Sequence, residues 1–216
     1  MKIVLRTICL LCLFFTVLAP KATLAQTDRN RKIQTVEAHS HQYAPLREAE
    51  VEIKDFTFPT SDGGKINLRE VARDKKLMLV HYFAAWCHNS NYDVVTLTEL
   101  YNKYRDQGFL VIGVCEYSSP KELREFIEKR NPSYPICIEN DGKKKDRTGT
   151  THYAYRKQVD DQRDWGTPLN ILIADSDIQI EGDVVAKRVA KRVRIAPGEV
   201  VKTELEEIIR RHLQLN

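Results

Sequence analysis

One stretch dominates the sequence, residues 77–90: Leu77-Met78-Leu79-Val80-His81-Tyr82-Phe83-Ala84-Ala85-Trp86-Cys87-His88-Asn89-Ser90. Its first half is a nearly continuous apolar run, which is typical of a strand buried on both faces of a sheet. The polar residues after Cys87 lead into a helical pattern of apolar residues, and Gly108 supplies the stop for that helix. The sequence therefore predicts that Cys87 lies at the first turn of a helix, at the carboxyl end of a central strand.

The segments on either side of this stretch alternate between strand and helix patterns. Upstream, a turn signal at Asp62-Gly63-Gly64 predicts a β-hairpin. Downstream, the apolar run 109–115 predicts a second interior strand. Ser119 and Pro120, followed by Glu122, are the residues of a strong helix start.

The alternation continues to the end of the chain. Short strands are predicted over residues 134–138 and 169–174, with one or two helical turns over 152–159 between them. The ambiguous stretch 184–195 is interpreted as a strand that pairs with the one before it, and residues 199–213 as a terminal helix. This succession indicates an α/β sheet covered by helices on both faces.

Residues 1–25 have the features of a cleaved export signal, namely a positive start, an apolar centre and small residues before Ala25. The apolar centre is short for a membrane-spanning helix, which needs about 20 residues, although a retained N-terminal anchor is the alternative. We therefore expect an exported protein, periplasmic or secreted, with cleavage after Ala25. A flexible polar linker is predicted over residues 26–50 and a single domain over 51–216.

Charge and cysteine content narrow the possible partners. The whole chain carries +4, of which three charges belong to Lys2, Arg6 and Lys21 in the signal, so the remainder carries +1 and does not indicate a nucleic-acid partner. Three cysteines remain after the signal, and an odd number leaves at least one thiol unpaired within the chain. One of them, Cys137, lies in a short apolar strand and is interpreted as a core residue.

Two motifs and the order of the elements resemble a known family. The first is Phe83-Ala84-Ala85-Trp86-Cys87 after a buried strand, and the second is Gly166-Thr167-Pro168 before the next strand. Over about residues 49–213 the chain is similar to the thioredoxin-like superfamily, and within it to the exported thiol–disulfide oxidoreductases of the redoxin or TlpA type. The resemblance implies a thioredoxin-like fold, with a central mixed sheet, helices on both faces and an N-terminal β-hairpin extension.

The resemblance also implies roles for individual residues. Cys87 matches the nucleophile, Trp86 matches the tryptophan before it, and Pro168 matches a proline whose preceding peptide bond is cis. Such a proline exposes the backbone of Thr167, so that a substrate segment can pair with it as an added strand. A helix N-terminus presents free N–H groups and a partial positive charge, which favour the thiolate form of a cysteine.

The chain departs from the family at the second cysteine, which is Ser90 here. A Cys-x-x-Ser site can form a mixed disulfide with a partner, but it cannot release that partner by closing its own bridge. We therefore expect monothiol chemistry and not simple dithiol reduction. Ser90 is expected to donate a hydrogen bond to the Cys87 thiolate.

Further candidates surround the nucleophile. His81 stands where thioredoxins carry a buried acid that shuttles protons, and it is either a proton acceptor or an ordinary core residue. His88, as an imidazolium, would favour the Cys87 thiolate. Cys115 ends the neighbouring strand and is either a resolving thiol for Cys87 or a buried structural thiol. Glu116, at the same edge, could accept a proton.

Thiol–disulfide exchange through Cys87, as an isomerase or by thiol capture, is the leading functional hypothesis. A non-catalytic binding module with the same fold is the alternative. Peroxide reduction is less favoured, because the expected proline and threonine or serine are Val80 and Ala84 here, and copper delivery would need a cysteine at Asn91. We expect a thiol- or disulfide-containing protein or small molecule as partner, no cofactor and no metal, and membrane contact only through a retained signal segment. The oligomeric state is left open.

Overall fold

The computed structural model describes residues 41–142, 144–177 and 188–215. The predicted signal and most of the predicted linker lie outside these residues. The described strands are β1 (Tyr43–Ala44), β2 (Arg47–Lys54), β3 (Thr57–Pro59), β4 (Lys65–Asn67), β5 (Leu77–Phe83), β6 (Phe109–Cys115), β7 (Ile136–Ile138), β8 (Leu169–Ala174), β9 (Arg188–Ala196) and β10 (Glu199–Val200). The described α-helices are α1 (Leu68–Ala72), α2 (His88–Tyr104), α3 (Pro120–Arg130), α4 (Thr151–Gln158) and α5 (Lys202–His212).

The main sheet has six strands in the order β2-β9-β8-β5-β6-β7. The apolar strand β5 runs parallel to β6 on one side and antiparallel to β8 on the other. All seven of its residues are buried, because strands pair with it on both edges and helices cover both faces. The predicted central mixed sheet is confirmed.

Side chains of β5 alternate between two apolar cores. Leu79 and Phe83 point into the core that contains Leu97 of α2 and Leu205 of α5. Met78, Val80 and Tyr82 point the other way, into the core that contains Leu68 of α1 and Tyr155 of α4. The alternation follows from the two-residue period of a strand, and it confirms that helices cover both faces.

The helix starts follow from local sequence. Cys87 is the N-cap of α2, as predicted. Ser119 and Glu122 form a capping box at the start of α3, with Pro120 in the first turn. After α2 a short 3-10 segment ends at Gly108, whose φ of 104° is a left-handed conformation that glycine adopts readily.

The predicted hairpin is present, since β3 and β4 pair in antiparallel fashion around the turn at Asp62-Gly63-Gly64. The predicted linker boundary is wrong, because β1 and the first half of β2 already lie within residues 26–50, and β2 pairs with β9 at the sheet edge. In β2, Val51 and Ile53 are buried whereas the alternating glutamates face outward. This edge strand has one solvated face, so its charged residues resemble those of a linker.

Two predictions near the carboxyl terminus have different outcomes. The described part of the stretch 184–195 belongs to β9, which pairs with β8 as predicted, while residues 184–187 lie outside the described residues. The terminal helix begins at Lys202 and not at 199, because Glu199 and Val200 form β10 against β1.

Within the described residues no helix is long and apolar enough to cross a membrane.

Candidate active site

Cys87 lies between the end of strand β5 at Phe83 and the start of helix α2 at His88. Its thiol is free and half-buried, and its Sγ donates to the carbonyl oxygen of Thr167 at 3.4 Å. The amide of Asn91 donates to the carbonyl oxygens of Ala85 at 3.0 Å and Cys87 at 2.9 Å, which holds the chain at the helix start. The thiol therefore lies at the N-terminal end of α2, between the helix start and the carbonyl of Thr167.

Trp86 precedes Cys87 directly in the chain. Its indole Nε1 donates to the carbonyl oxygen of Tyr117 at 2.8 Å, and its ring meets the ring of Trp165 edge-on at 5.2 Å. Trp86 is 43% exposed, so part of this residue is open to a partner. Aromatic side chains of this kind supply much of the contact energy in protein interfaces.

The Gly166-Thr167-Pro168 loop contacts Cys87 through the carbonyl of Thr167. The peptide bond before Pro168 is cis, as the resemblance implies. Thr167 itself is only 7% exposed, and its carbonyl oxygen is the acceptor for the Cys87 thiol. The carbonyl of Thr167 therefore has a hydrogen-bond partner within the chain, the Cys87 thiol.

His152 ties this loop to the segment after β6. Its Nε2 lies 3.2 Å from the carbonyl oxygen of Gly166, and its Nδ1 lies 2.9 Å from the hydroxyl of Tyr117. Burial lowers the pKa of His152 to about 3, so the ring is neutral at physiological pH. Since a carbonyl can only accept, Nε2 carries the proton and Tyr117 donates to Nδ1. Sequence reasoning missed this residue, because a histidine in a short helix gives no local signal of the loop it contacts.

Ser90 does not take the predicted position toward Cys87. It is fully buried, and its hydroxyl oxygen accepts a hydrogen bond from the backbone N–H of Ala84 at 3.4 Å. The prediction that Ser90 donates to the Cys87 sulfur is therefore not supported, since the sulfur instead contacts Thr167. The first turn of α2 directs position 90 inward, toward the end of β5.

His81 belongs to a buried polar cluster between the sheet and α2. Its Nδ1 donates to the side-chain oxygen of Asn170 at 2.8 Å, and the amide nitrogen of Asn170 donates to Asp93 at 2.6 Å. The second carboxyl oxygen of Asp93 accepts from the backbone N–H of Val200 at 2.9 Å. Three elements that are distant in sequence thus meet at one amide side chain.

The charge states in this cluster favour the acid as the proton carrier. Burial raises the pKa of Asp93 to about 8, whereas burial lowers the pKa of His81 to about 4. Asp93 therefore holds a proton near neutral pH, and His81 is neutral. Sequence reasoning left His81 open, as a proton acceptor or an ordinary core residue, and missed Asp93. Its spacing four residues before Leu97, on the buried face of α2, is the signal that could have revealed it.

His88 is exposed at the first position of α2. Its ring meets the ring of Tyr92 edge-on at 4.7 Å, and Tyr92 in turn packs against His41 at 4.0 Å. His41 pairs with the buried carboxylate of Glu199 at 2.6 Å. His88 therefore follows Cys87 directly in the chain, and its ring belongs to an aromatic cluster with Tyr92 and His41 on the protein surface.

Cys115 is a free thiol in the interior of the sheet. It pairs with Phe83 in the sheet and is fully buried in the core under α2 and α3, and burial raises its pKa to about 12. These observations support the alternative of a structural thiol. Glu116 follows it and is also fully buried, and burial together with the neighbouring Glu139 carboxyl raises the pKa of Glu116 well above its ordinary value. A raised pKa favours the protonated form of Glu116, so the possible role of proton acceptor stays a prediction.

Solved structures show the class of fold. A thiol:disulfide interchange protein of the thioredoxin family from Chlorobium tepidum TLS gives a TM-score of 0.53 at 15% identity, covering 81% of this chain and 99% of that one. The thioredoxin domain of a thiol-disulfide oxidoreductase from Bacteroides vulgatus gives a TM-score of 0.53 at 19% identity, covering 76% and 97%. At these identities the likeness shows the fold alone: the protein has a thioredoxin fold.

Sequence comparison gives the family. The model of the AhpC/TSA family matches residues 50–169, more than half of the chain, and the chain belongs to this family. Curated relatives named thiol-disulfide oxidoreductase ResA, from Bacillus thuringiensis subsp. konkukian and Bacillus anthracis, are 22% identical over 91 and 88 residues, or 42% and 41% of this chain. The chain spans about half the length of these relatives, 51% and 50%.

Proposed function

We propose that this protein carries out thiol–disulfide exchange with a single active-site thiol, that of Cys87. The observation that carries the proposal is the position of this half-buried thiol, at a helix N-terminus and against the carbonyl that precedes a cis proline. A thiolate at such a site attacks disulfides. The names of the ResA relatives, thiol-disulfide oxidoreductases, agree with this chemistry.

The reaction has two exchange steps. In the first, the Cys87 thiolate attacks one sulfur of the partner's disulfide, a mixed disulfide forms, and the other partner sulfur leaves as a thiolate. In the second, a thiolate of the partner attacks the mixed disulfide and Cys87 leaves as a thiolate. No electrons are gained or lost overall, so the outcome is a rearranged disulfide. Where no second thiol attacks, the partner stays captured on Cys87.

The monothiol character of the site rests on its neighbours. Ser90 occupies the position of a second cysteine and cannot form a disulfide. Cys115 and Cys137 are both fully buried, and burial raises the pKa of each thiol to about 12. We therefore assign release of the partner to a thiol that the partner supplies, and not to a second cysteine of this chain.

Export is a separate part of the proposal. Residues 1–25 carry the features of a signal, and the three cysteines of the domain are free, which suits a protein that exchanges disulfides without depending on them to fold. Expression of the full chain, followed by mass spectrometry of the exported fraction, is expected to give a product that begins at Gln26. A product that retains Met1 and stays with the membrane would support the anchor instead.

Peroxide reduction is the competing chemistry in the AhpC/TSA family. Val80 and Ala84, at the positions where a peroxide would need polar groups, are buried apolar residues and offer no side-chain hydrogen bond. We therefore expect Cys87 to react faster with a disulfide than with hydrogen peroxide. The reverse order of rates would favour the peroxidase alternative.

The central test is to trap the mixed disulfide. Incubation with a cysteine peptide carried as a disulfide, followed by digestion and mass spectrometry, is expected to give an adduct on Cys87. Cys87→Ser should abolish the adduct, and the matched variant Cys115→Ala should retain it. A folded protein that binds the peptide without forming an adduct would instead be the non-catalytic module.

A further inference from the structure

The loop that faces Cys87 is held at three successive carbonyl groups. Nη2 of Arg163 donates to the carbonyl oxygen of Gly166 at 2.9 Å, and Nη1 donates to that of Pro168 at 3.1 Å. The carbonyl between them, that of Thr167, accepts from the Cys87 thiol at 3.4 Å. A single planar guanidinium therefore binds the loop on both sides of the carbonyl that accepts from the Cys87 thiol.

Asp161 holds this guanidinium in place. Its Oδ2 lies 2.7 Å from Nη2 of Arg163, and its Oδ1 accepts from Nε of Arg163 at 2.9 Å, a bidentate pair. The same carboxylate contacts Nε of Arg156 at 3.1 Å. The side chains of Asp161 and Arg156 are 3% and 6% exposed, and that of Arg163 is 27% exposed.

Arg156 fills the remaining space behind the loop. Its guanidinium donates to the carbonyl oxygens of Asp161 and Arg163, and it lies so close to Gly166 that a β-carbon there would overlap it. Burial alone raises the pKa of Asp161, but the hydrogen bonds and charges of the arginines outweigh it, and the pKa is lowered. The polar segment 160–164 thus supports the loop that faces Cys87 from within the protein.

Stability alone is a weak explanation for these contacts. Burying the Arg156 guanidinium and the Asp161 carboxylate, with Arg163 partly covered, has a desolvation cost that can exceed the attraction between them. Apolar residues of similar volume often serve a fold equally well. The planar guanidinium of Arg163 donates to the carbonyls of Gly166 and Pro168 at once. These two hydrogen bonds fix the direction of the backbone between the carbonyls, which an apolar side chain cannot do.

We infer that Arg163, seated on Asp161, is a positioning residue that holds the Thr167 carbonyl and the cis-proline loop in register with the Cys87 sulfur. This inference rests on the proposed function. It assigns partner alignment to a residue that touches neither sulfur. A disulfide in a polypeptide must align its backbone with the loop before its sulfur meets Cys87, whereas a small alkylating reagent needs no such alignment.

The test compares two reactions of the same thiol. One is alkylation by iodoacetamide, and the other is exchange with a cysteine peptide carried as a mixed disulfide with thionitrobenzoate, whose coloured thiolate is released on attack. In Arg163→Gln we expect the peptide rate to fall about ten-fold or more, because small misplacements of reacting groups have effects of this size. The iodoacetamide rate should change by less than about two-fold, since alkylation does not use the loop.

Two variants and a control complete the design. Arg163→Lys keeps the charge but not the planar fork, so it should retain folding without recovering the peptide rate, and it carries the test if Arg163→Gln does not fold. Asp161→Asn should give the same split between the two rates. Arg211→Gln, which removes a solvent-exposed ion pair with Glu207 on α5, should leave both rates unchanged.

The outcomes separate this inference from the proposed function. An unchanged peptide rate in Arg163→Gln and Arg163→Lys would overturn the positioning role, and so would an equal fall of both rates. If the unaltered protein reacts with iodoacetamide but not with the peptide disulfide, the proposed function fails and the positioning role fails with it. The split in rates, with an intact Arg211→Gln control, is the result that supports the inference.

Discussion

The thiol of Cys87 donates to the carbonyl oxygen of Thr167 across 3.4 Å, although the two residues lie 80 positions apart in the chain. This contact joins the start of a helix to the loop before a cis proline. It also means that a partner sulfur has to enter the space beside this contact. The predictions below follow from what surrounds these two groups.

Ser90→Cys should convert the site toward dithiol chemistry. A cysteine at position 90 could close a bridge to Cys87 and release a captured partner, so reduction of insulin by the protein with dithiothreitol should become faster than for the unaltered chain. Ser90→Ala is the control, because it removes the hydroxyl without adding a thiol. If the cysteine variant reduces insulin no faster than the alanine variant, the lack of a second cysteine at position 90 does not limit this activity.

Cys115 and Cys137 should be unreactive in the folded protein. Burial raises the pKa of both thiols to about 12, so neither ionises at pH 8. Mass spectrometry after alkylation at pH 8 should find only Cys87 modified among these three, and all three modified after unfolding in urea. Mild oxidation should give no peptide that links Cys87 to Cys115. Such a linked peptide would restore the resolving role to Cys115.

The free energy of unfolding should fall as pH rises because of Asp93. Its pKa is about 8 in the folded protein against 3.8 ordinarily, so the unfolded chain releases this proton first. The contribution of the protonated Asp93 to the free energy of unfolding is complete below about pH 4 and is lost by about pH 8. Between these values the free energy of unfolding falls by at most about 1.4 kcal/mol for each pH unit. In Asp93→Asn the free energy of unfolding should depend less on pH. Urea unfolding at several pH values measures this dependence.

A matched carboxylate on the same helix checks that assignment. Glu99 is exposed and pairs with Lys202, so Glu99→Gln should leave the pH slope as it is in the unaltered chain. A slope that is unchanged in Asp93→Asn, or one that flattens equally in both variants, would contradict a buried protonated acid at position 93.

Gly166→Ala should destabilise the protein. Gly166 has a φ of 68°, and an added β-carbon would overlap the buried guanidinium of Arg156. A cost on the order of 1–3 kcal/mol is expected from thermal or urea unfolding. Gly149→Ala is the control, because a β-carbon there meets no atom within 4 Å, and its cost should stay within about 0.5 kcal/mol. Equal costs would mean that Arg156 does not constrain this loop.

Local patterns predicted the strands and helices that build the sheet. The apolar runs of β5 and β6, the cap residues of α3 and the stop at Gly108 all have local causes, and each was predicted from nearby residues. The linker boundary failed because β2 is an edge strand with a solvated, charged face. Its pairing with β9 is a long-range contact that leaves little trace in the local pattern.

The sequence by itself placed Cys87 at the start of a helix after a buried strand, and motif resemblance matched Pro168 to a proline whose preceding peptide bond is cis. Only the tertiary structure showed what surrounds them. Asp93, Asn170 and His81 meet across separations of 77 and 89 residues, Ser90 turns inward to Ala84, and Arg163 reaches the loop that faces the thiol. The reason is physical: strand and helix patterns depend on neighbours along the chain, whereas hydrogen bonds in the site depend on which side chains the sheet brings together.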